Sequence, residues 1–192
     1  LVPRFQLDHP EWPFLQTVGL KAKEVTPIQK LLPGLPEGNN HCFFNNPGEV
    51  RVLGGPMTAV ALFQQASLAP SFGGGFKYPL RARGAAVPLT TLLWHEDLRK
   101  MVWQNVLSME EVLKLVPNYL SGPDTEMPTW VRPIENEEPA DQIGLLRGLF
   151  WQPAHLKLLW EDAESICDLI GVASENNCKS FFKEKFNYSI RG

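Results

Sequence analysis

Apolar residues in this chain come in short clusters broken by proline and glycine, and few stretches hold one period long enough to predict an element. Residues 56–67 are the first. Met57, Val60, Leu62, Phe63 and Ala66 can share one face of a helix that Pro56 opens and Pro70 ends. Residues 87–94, rich in β-formers, predict a strand. A helix is predicted over 96–106, with Leu98, Met101, Val102 and Val106 facing inward. Ser108 and Glu111 stand at capping-box spacing and open another helix to Val116. Residues 5–55, punctuated by six prolines and several glycines, read as loops and short strands, and about 117–141 as a proline-rich acidic loop. The stretch "GLLRGLFWQPAHLKLLW" (144–160) has mixed periodicity and reads as a strand running into a buried turn. Residues 161–171 read as helical, and "FNYSIRG" at the end alternates like a strand. The class expected is α+β: helices and short strands with extensive irregular loops.

Composition bounds the function. The chain has 192 residues, 44% hydrophobic and 20% charged, enough to bury a core. A net charge of -3 argues against a general nucleic-acid coat but leaves room for a local basic patch. The charge is segregated: residues 70–95 contain Lys77, Arg81 and Arg83 and no acid, whereas Glu135, Glu137, Glu138 and Asp141 form an acidic run, as do Glu161, Asp162, Glu164 and Asp168. Cys42, Cys167 and Cys178 are too few and scattered for a disulfide framework, which favours a reducing compartment. No apolar run approaches the roughly 18–20 residues of a membrane helix, and a cytoplasmic protein without membrane partners is expected. The chain starts without methionine, and "LVPR" before Phe5 resembles a protease-cleavage linker; natural sequence or remnant, it suits a fragment of something longer.

Catalytic chemistry finds little support. "GGGFK" lacks the phosphate-loop spacing, and Tyr78 stands where a magnesium-binding hydroxyl belongs. His9, His41, His95 and His155 are scattered, and Cys167 and Cys178 form no metal-binding pair, so no metal or other cofactor is expected. Most of the six tryptophans should fill the core; the proline-flanked Trp130 and Trp151 read as packing anchors first, and are the candidates if any is an exception. In "HCFFNNPGEV" (41–50), Phe43 and Phe44 cannot both point inward on a strand. One of them is either a surface aromatic for a base or a partner protein, or the lid of its own loop. The run "SFGGGFKYPLRAR" poses the sharpest question. One glycine would serve a plain turn between Phe72 and Phe76, whereas three imply positive φ values or a close approach of backbone to something else. The following cations favour a polyanion, nucleic acid before a small phosphorylated ligand, and a strip without Cβ atoms suits a minor groove roughly 6 Å wide.

The stretches "HPEWPFLQ", "VTPIQKLLPG", "FFNNPG", "TAVALFQQASLAPSFGGGFK", "IGLLRGLFWQPAHLKL" and "FFKEKFNYSIRG" run in this order over nearly the whole chain. Together they resemble the CasA family, the large subunit of the type I-E CRISPR Cascade surveillance complex. The resemblance implies that residues 1–192 are the greater, central part of that subunit's N-terminal domain. The C-terminal helical bundle, and a lysine and a glutamine that assist motif reading and strand separation, would then lie beyond residue 192. It implies no enzymatic activity. The implied role is recognition of the protospacer-adjacent motif in double-stranded target DNA, help in starting duplex opening, and support for recruiting a helicase-nuclease. The family's glycine loop maps onto Gly73, Gly74 and Gly75 with Phe76 and Lys77. A loop that anchors the subunit on the guide RNA's 5′ end and on other Cascade subunits maps onto Phe43, Phe44 and Asn45. Arg81 and Arg83 are candidates for phosphate contacts. Some relatives carry paired cysteines consistent with zinc; "LGGP" (53–56) stands in that place here, so zinc is not carried over. A structural scaffold and a phosphate-handling enzyme built on the glycine loop are the alternatives.

Overall fold

In the computed structural model the described residues are 2–33, 35, 48–69, 71–79, 91–115, 122–136, 138–139 and 142–186. Among them lie four strands, β1 (Val25–Pro27), β2 (Leu53–Gly54), β3 (His155–Ile166) and β4 (Ala173–Glu184). Four helices accompany them: α1 (Gly55–Ser67), α2 (Leu98–Gln104), α3 (Met109–Leu115) and α4 (Leu145–Leu149). The α+β class is as expected. β4 is the centre of an antiparallel sheet, paired along its length with β3 and, on its other edge, with β2 at Asn177–Cys178 and β1 at Ser180–Phe182.

The β3–β4 hairpin corrects the sequence reading twice. Residues 161–166, expected to be helical, continue β3, and β4 was not foreseen. The reason is that the outer half of the hairpin is exposed and carries no hydrophobic period. It is held by its backbone ladder, by the Lys179–Glu161 ion pair (2.5 Å) and by Asn177. The Asn177 amide is buried at a register shift and donates to the carbonyls of Ala163 and Ser174, both at 2.6 Å. At the turn, the Asp168 carboxylate accepts the N–H groups of Arg51 (2.6 Å) and Val52 (2.8 Å), so part of the acidic run is structural.

The core packs one face of the sheet against α1 and the irregular segments, with Leu15, Ile28, Leu31, Leu53, Leu62, Leu156, Leu158 and Phe181 at its centre. α1 begins and ends as predicted but is rotated. Val60 and Phe63 are exposed, while Thr58, Ala61, Leu62, Gln65 and Ala66 are buried. The two polar residues can enter because their side chains find backbone acceptors: Thr58 donates to Gly54 O (3.0 Å) and Gln65 to Leu31 O (3.1 Å). Cys167 and Cys178 are buried thiols, and burial pushes Cys178 up to about 11.

The strand expected at 87–94 is absent from 91–94, the part of it that is described. Asn105 instead engages both backbone groups of Leu93, accepting its N–H (2.9 Å) and donating to its carbonyl (2.8 Å). α2 follows, capped by Asp97, and α3 has the expected reciprocal cap between Ser108 and Glu111. The inward face expected for the first of them is not covered: neither helix has a buried residue.

The stretch expected as strand-then-turn is instead a helix, α4, a turn, and then β3. Gly144 opens α4, the Glu126 carboxylate accepts the N–H of Leu146 (2.6 Å), and β3 starts just beyond Pro153. Arg147 lies on α4 with no solvent exposure. It donates twice to Glu138 (2.8 and 2.5 Å) and to the carbonyls of Met127 (2.7 Å) and Arg132 (2.9 Å), above the Trp151 ring at 5.4 Å. Trp130 and Trp151 are packing residues, the first of the two readings. Trp130 meets Phe5, Phe14 and Phe150 edge-on and donates its indole N–H to Arg4 O (2.7 Å). The exposed tryptophans are Trp94 and Trp103.

Removing one partner of a buried ion pair strands the other, so Glu138→Ala and Arg147→Ala should each cost about 3–5 kcal/mol, read as a shift in urea midpoint at unchanged slope. His155 gives a second check. Burial holds its pKa below the usual imidazole value, against the pull of the Glu184 carboxylate. The unfolded chain, with an imidazole pKa of ~6.5, takes up the proton first as pH falls. The stability His155 contributes is therefore full above ~6.5 and lost as pH drops through the lower folded value. Thermal unfolding at neutral and mildly acidic pH should show a larger drop for the natural chain than for His155→Gln.

Candidate nucleic-acid interface

Between α1 and the described end at Pro79 the chain makes one tight excursion. Its base is apolar: Phe72 and Phe76 meet edge-on at 5.7 Å, Phe72 packs on Phe181 of β4 at 5.9 Å, and Pro79 is fully buried. Its tip is the glycine run. Gly73 has φ +100° and Gly75 φ +85°, values that L side chains rarely adopt. The turn closes through the N–H of Phe76 to Gly73 O (2.9 Å) and is entered by a long bond from the N–H of Gly73 to Ser71 Oγ (3.4 Å). All three glycines are exposed, and the N–H groups of Gly74 and Gly75 have no acceptor among the described residues.

Each glycine has a different reason to be one. Gly73 needs its φ, and no described residue lies within 4 Å of where its Cβ would point. Gly75 needs its φ; a Cβ there would also sit 2.9 Å from Nζ of Lys185, the movable end of an exposed side chain that can shift aside. Gly74 has neither demand: no left-handed φ, and no described residue within 4 Å of where a Cβ would point.

Lys185 is the residue that sequence reasoning missed. It follows β4 directly, is exposed, and lies across the loop. No local pattern links it to Gly75; only the path of β4 past Phe72 brings the two together. Lys77, half-buried, follows the turn directly in sequence, and neither lysine makes an ion pair among the described residues. The site is thus an exposed, Cβ-free turn with free N–H donors and two cations, an arrangement suited to phosphate and to a narrow groove. Of the residues expected to act, the structure brings Gly73, Gly74, Gly75, Phe76 and Lys77 together, with Phe76 anchoring the turn from below. Phe43, Phe44, Asn45, Arg81 and Arg83 lie outside the described residues. Among the described residues no group of three His, Cys, Asp or Glu side chains could hold a metal ion, and no helix is long and apolar enough to cross a membrane.

Fold and loop together define an α+β module with an exposed glycine turn and lysines beside it. The profile of the CRISPR-associated protein Cse1 family matches residues 2–191, and the chain belongs to that family. Its fold is also that of a solved relative, the CasA of Thermus thermophilus, known from a crystal structure. The similarity has a TM-score of 0.55 at 19% sequence identity and covers 98% of this chain. The chain spans 35% of that protein's length.

The different demands on the glycines are separable by substitution. Gly75→Ala should cost about 1–2 kcal/mol for the left-handed backbone, with displacement of Lys185 in addition. Gly74→Ala should be close to neutral. Thermal unfolding of the two variants side by side gives the comparison.

Proposed function

We propose that this chain is the greater part of the N-terminal domain of the large subunit of a type I-E CRISPR Cascade complex, working in the prokaryotic cytoplasm. In this reading it has no enzymatic activity and recognises the protospacer-adjacent motif in double-stranded target DNA. It helps start duplex opening there and supports recruitment of the helicase-nuclease, with the C-terminal helical bundle lying beyond residue 192. Family membership supports an assignment to such a complex. The observation that carries the DNA-reading role is Gly74: no described residue demands a bare Cα there, and in this reading the demand is a partner's. A groove floor approached at backbone distance supplies that demand, with Lys77 and Lys185 on the flanking phosphates and Arg81 and Arg83 as further phosphate contacts. Recognition by shape in a minor groove separates A·T from G·C better than A·T from T·A, so several related motifs should be accepted. Phe43, Phe44 and Asn45 anchor the subunit on the guide RNA's 5′ end and the neighbouring subunits.

The test uses the full-length subunit assembled with its guide RNA and partner subunits, measuring binding to duplexes with and without the motif across a salt series. Gly74→Asp, near-neutral for the fold, should cut the preference for the motif about ten- to hundredfold. Lys185→Ala should weaken binding and lower the slope of log affinity against log salt by about 0.9. Phe43→Ala with Asn45→Ala should instead weaken docking of the subunit onto the complex. Unchanged motif preference in Gly74→Asp would leave a scaffold as the better reading.

A further inference from the structure

DNA reading by the glycine loop makes no use of the β3–β4 hairpin, yet the turn of that hairpin shows solvent what a fold ordinarily hides. Ile166, Leu169, Ile170 and Val172, four of the seven residues 166–172, are 41–64% exposed. Single exposed aliphatic side chains are ordinary, whereas four crowded on one turn mark a contact surface.

The turn itself does not require them. Its shape is set by backbone bonds, from the N–H of Cys167 to Val172 O (2.9 Å) and from the N–H of Gly171 to Cys167 O (2.8 Å), with Gly171 at φ +64°. It is braced against the body by the buried Cys167 and by Asp168, whose N–H donates to Val52 O (3.0 Å) and whose carboxylate accepts the N–H groups of Arg51 and Val52. Ile166 and Val172 stand at strand ends, where β-branched residues are at home. Leu169 and Ile170 have no such reason, because turn positions ordinarily take glycine, asparagine, aspartate or serine. A braced turn that offers aliphatic side chains loses little freedom on contact, which suits it to anchor an interface.

Charge selects what the anchor enters. From residue 158 to residue 178 the chain has five acidic residues, Glu161, Asp162, Glu164, Asp168 and Glu175, and no lysine or arginine. Glu161 is paired with Lys179, and Asp168 is engaged with backbone. Asp162, Glu164 and Glu175 are exposed and make no ion pair among the described residues. Their field repels nucleic acid and anionic lipid, and it opposes a second copy meeting this one turn to turn. It attracts a protein surface whose apolar pocket is rimmed by lysine and arginine.

We propose that Ile166, Leu169, Ile170 and Val172 seat in an apolar pocket with a basic rim on another subunit of the Cascade complex. This rests on the assignment of the chain to such a complex, and not on the role given to the glycine loop.

The experiment uses the full-length subunit and a complex assembled without it from the guide RNA and the other subunits. Hydroxyl-radical oxidation, read peptide by peptide, should mark residues 166–172 in the free subunit and be lost there once the subunit has docked. Leu169→Ser with Ile170→Ser should weaken docking about ten- to hundredfold while thermal unfolding of the subunit stays where it was. Asp162→Lys with Glu164→Lys should slow association about tenfold at low salt, and the difference should shrink as salt rises. Gly74→Asp should dock unchanged, so failure of the DNA-reading role would leave this result standing. Oxidation of the turn that persists in the docked complex, protection already complete in the free subunit, or full-strength docking of the folded Leu169→Ser, Ile170→Ser variant would each overturn the proposal. Failure of the unsubstituted subunit to dock at all would instead remove the Cascade assignment on which it rests.

Discussion

One buried guanidinium holds the least regular part of this protein in place. The described residues between 122 and 139 contain no helix or strand, so no backbone ladder fixes their course. Arg147 does it from α4, reaching Met127, Arg132 and Glu138 through its guanidinium donors. Burying such a charge costs several kcal/mol before pairing, and only a geometry this complete offsets it. The consequence is that Trp130, between two of those anchor points, reaches the aromatic cluster of Phe5, Phe14 and Phe150 and closes the core.

The sequence announced elements whose signals are local. Pro56 and Pro70 bracket α1, and the Ser108–Glu111 cap marks α3, because a cap is specified within four residues. The glycine turn was legible for the same reason: backbone conformation leaves its trace at the residue that adopts it. What depended on distant partners was not legible. Thr58 and Gln65 look like surface residues until Gly54 O and Leu31 O are seen to take their hydrogen bonds. β4 reads as a polar stretch because its pairing, not its side chains, makes it a strand. Lys185 belongs to the loop only through the fold.

Charge is organised on the same principle of local against global. The chain is acidic overall, with a net charge of -3, yet Lys77, next after the turn in sequence, and Lys185, across it, have no acidic partners among the described residues. A cation left unpaired at an exposed turn keeps its field available to an approaching phosphate, and the field of the remaining surface is screened beyond roughly 8–10 Å. Acidic residues elsewhere have internal work, such as Asp168 at the β3–β4 turn and Glu138 on Arg147. Overall acidity therefore says little about this loop and much about how the hairpin and the 122–139 segment are tied down.

β4 explains why the loop and the core beside it sit so near each other yet answer to different substitutions. It is paired on both edges at Cys178 and Phe181, which makes it the best-braced strand of the sheet. Phe181 carries Phe72 and hence the glycine turn; Lys185 lies across that turn; Phe186, the next residue, is buried against His155. Successive residues of an extended chain point to opposite sides, so residues 185 and 186 serve one side each. A side-chain change at either reaches only its own side. A change that shifts the strand, through the bulge near Lys179 or the Asn177 amide, moves both together, and a loss shared by the two sides is the mark of a backbone effect rather than a lost contact.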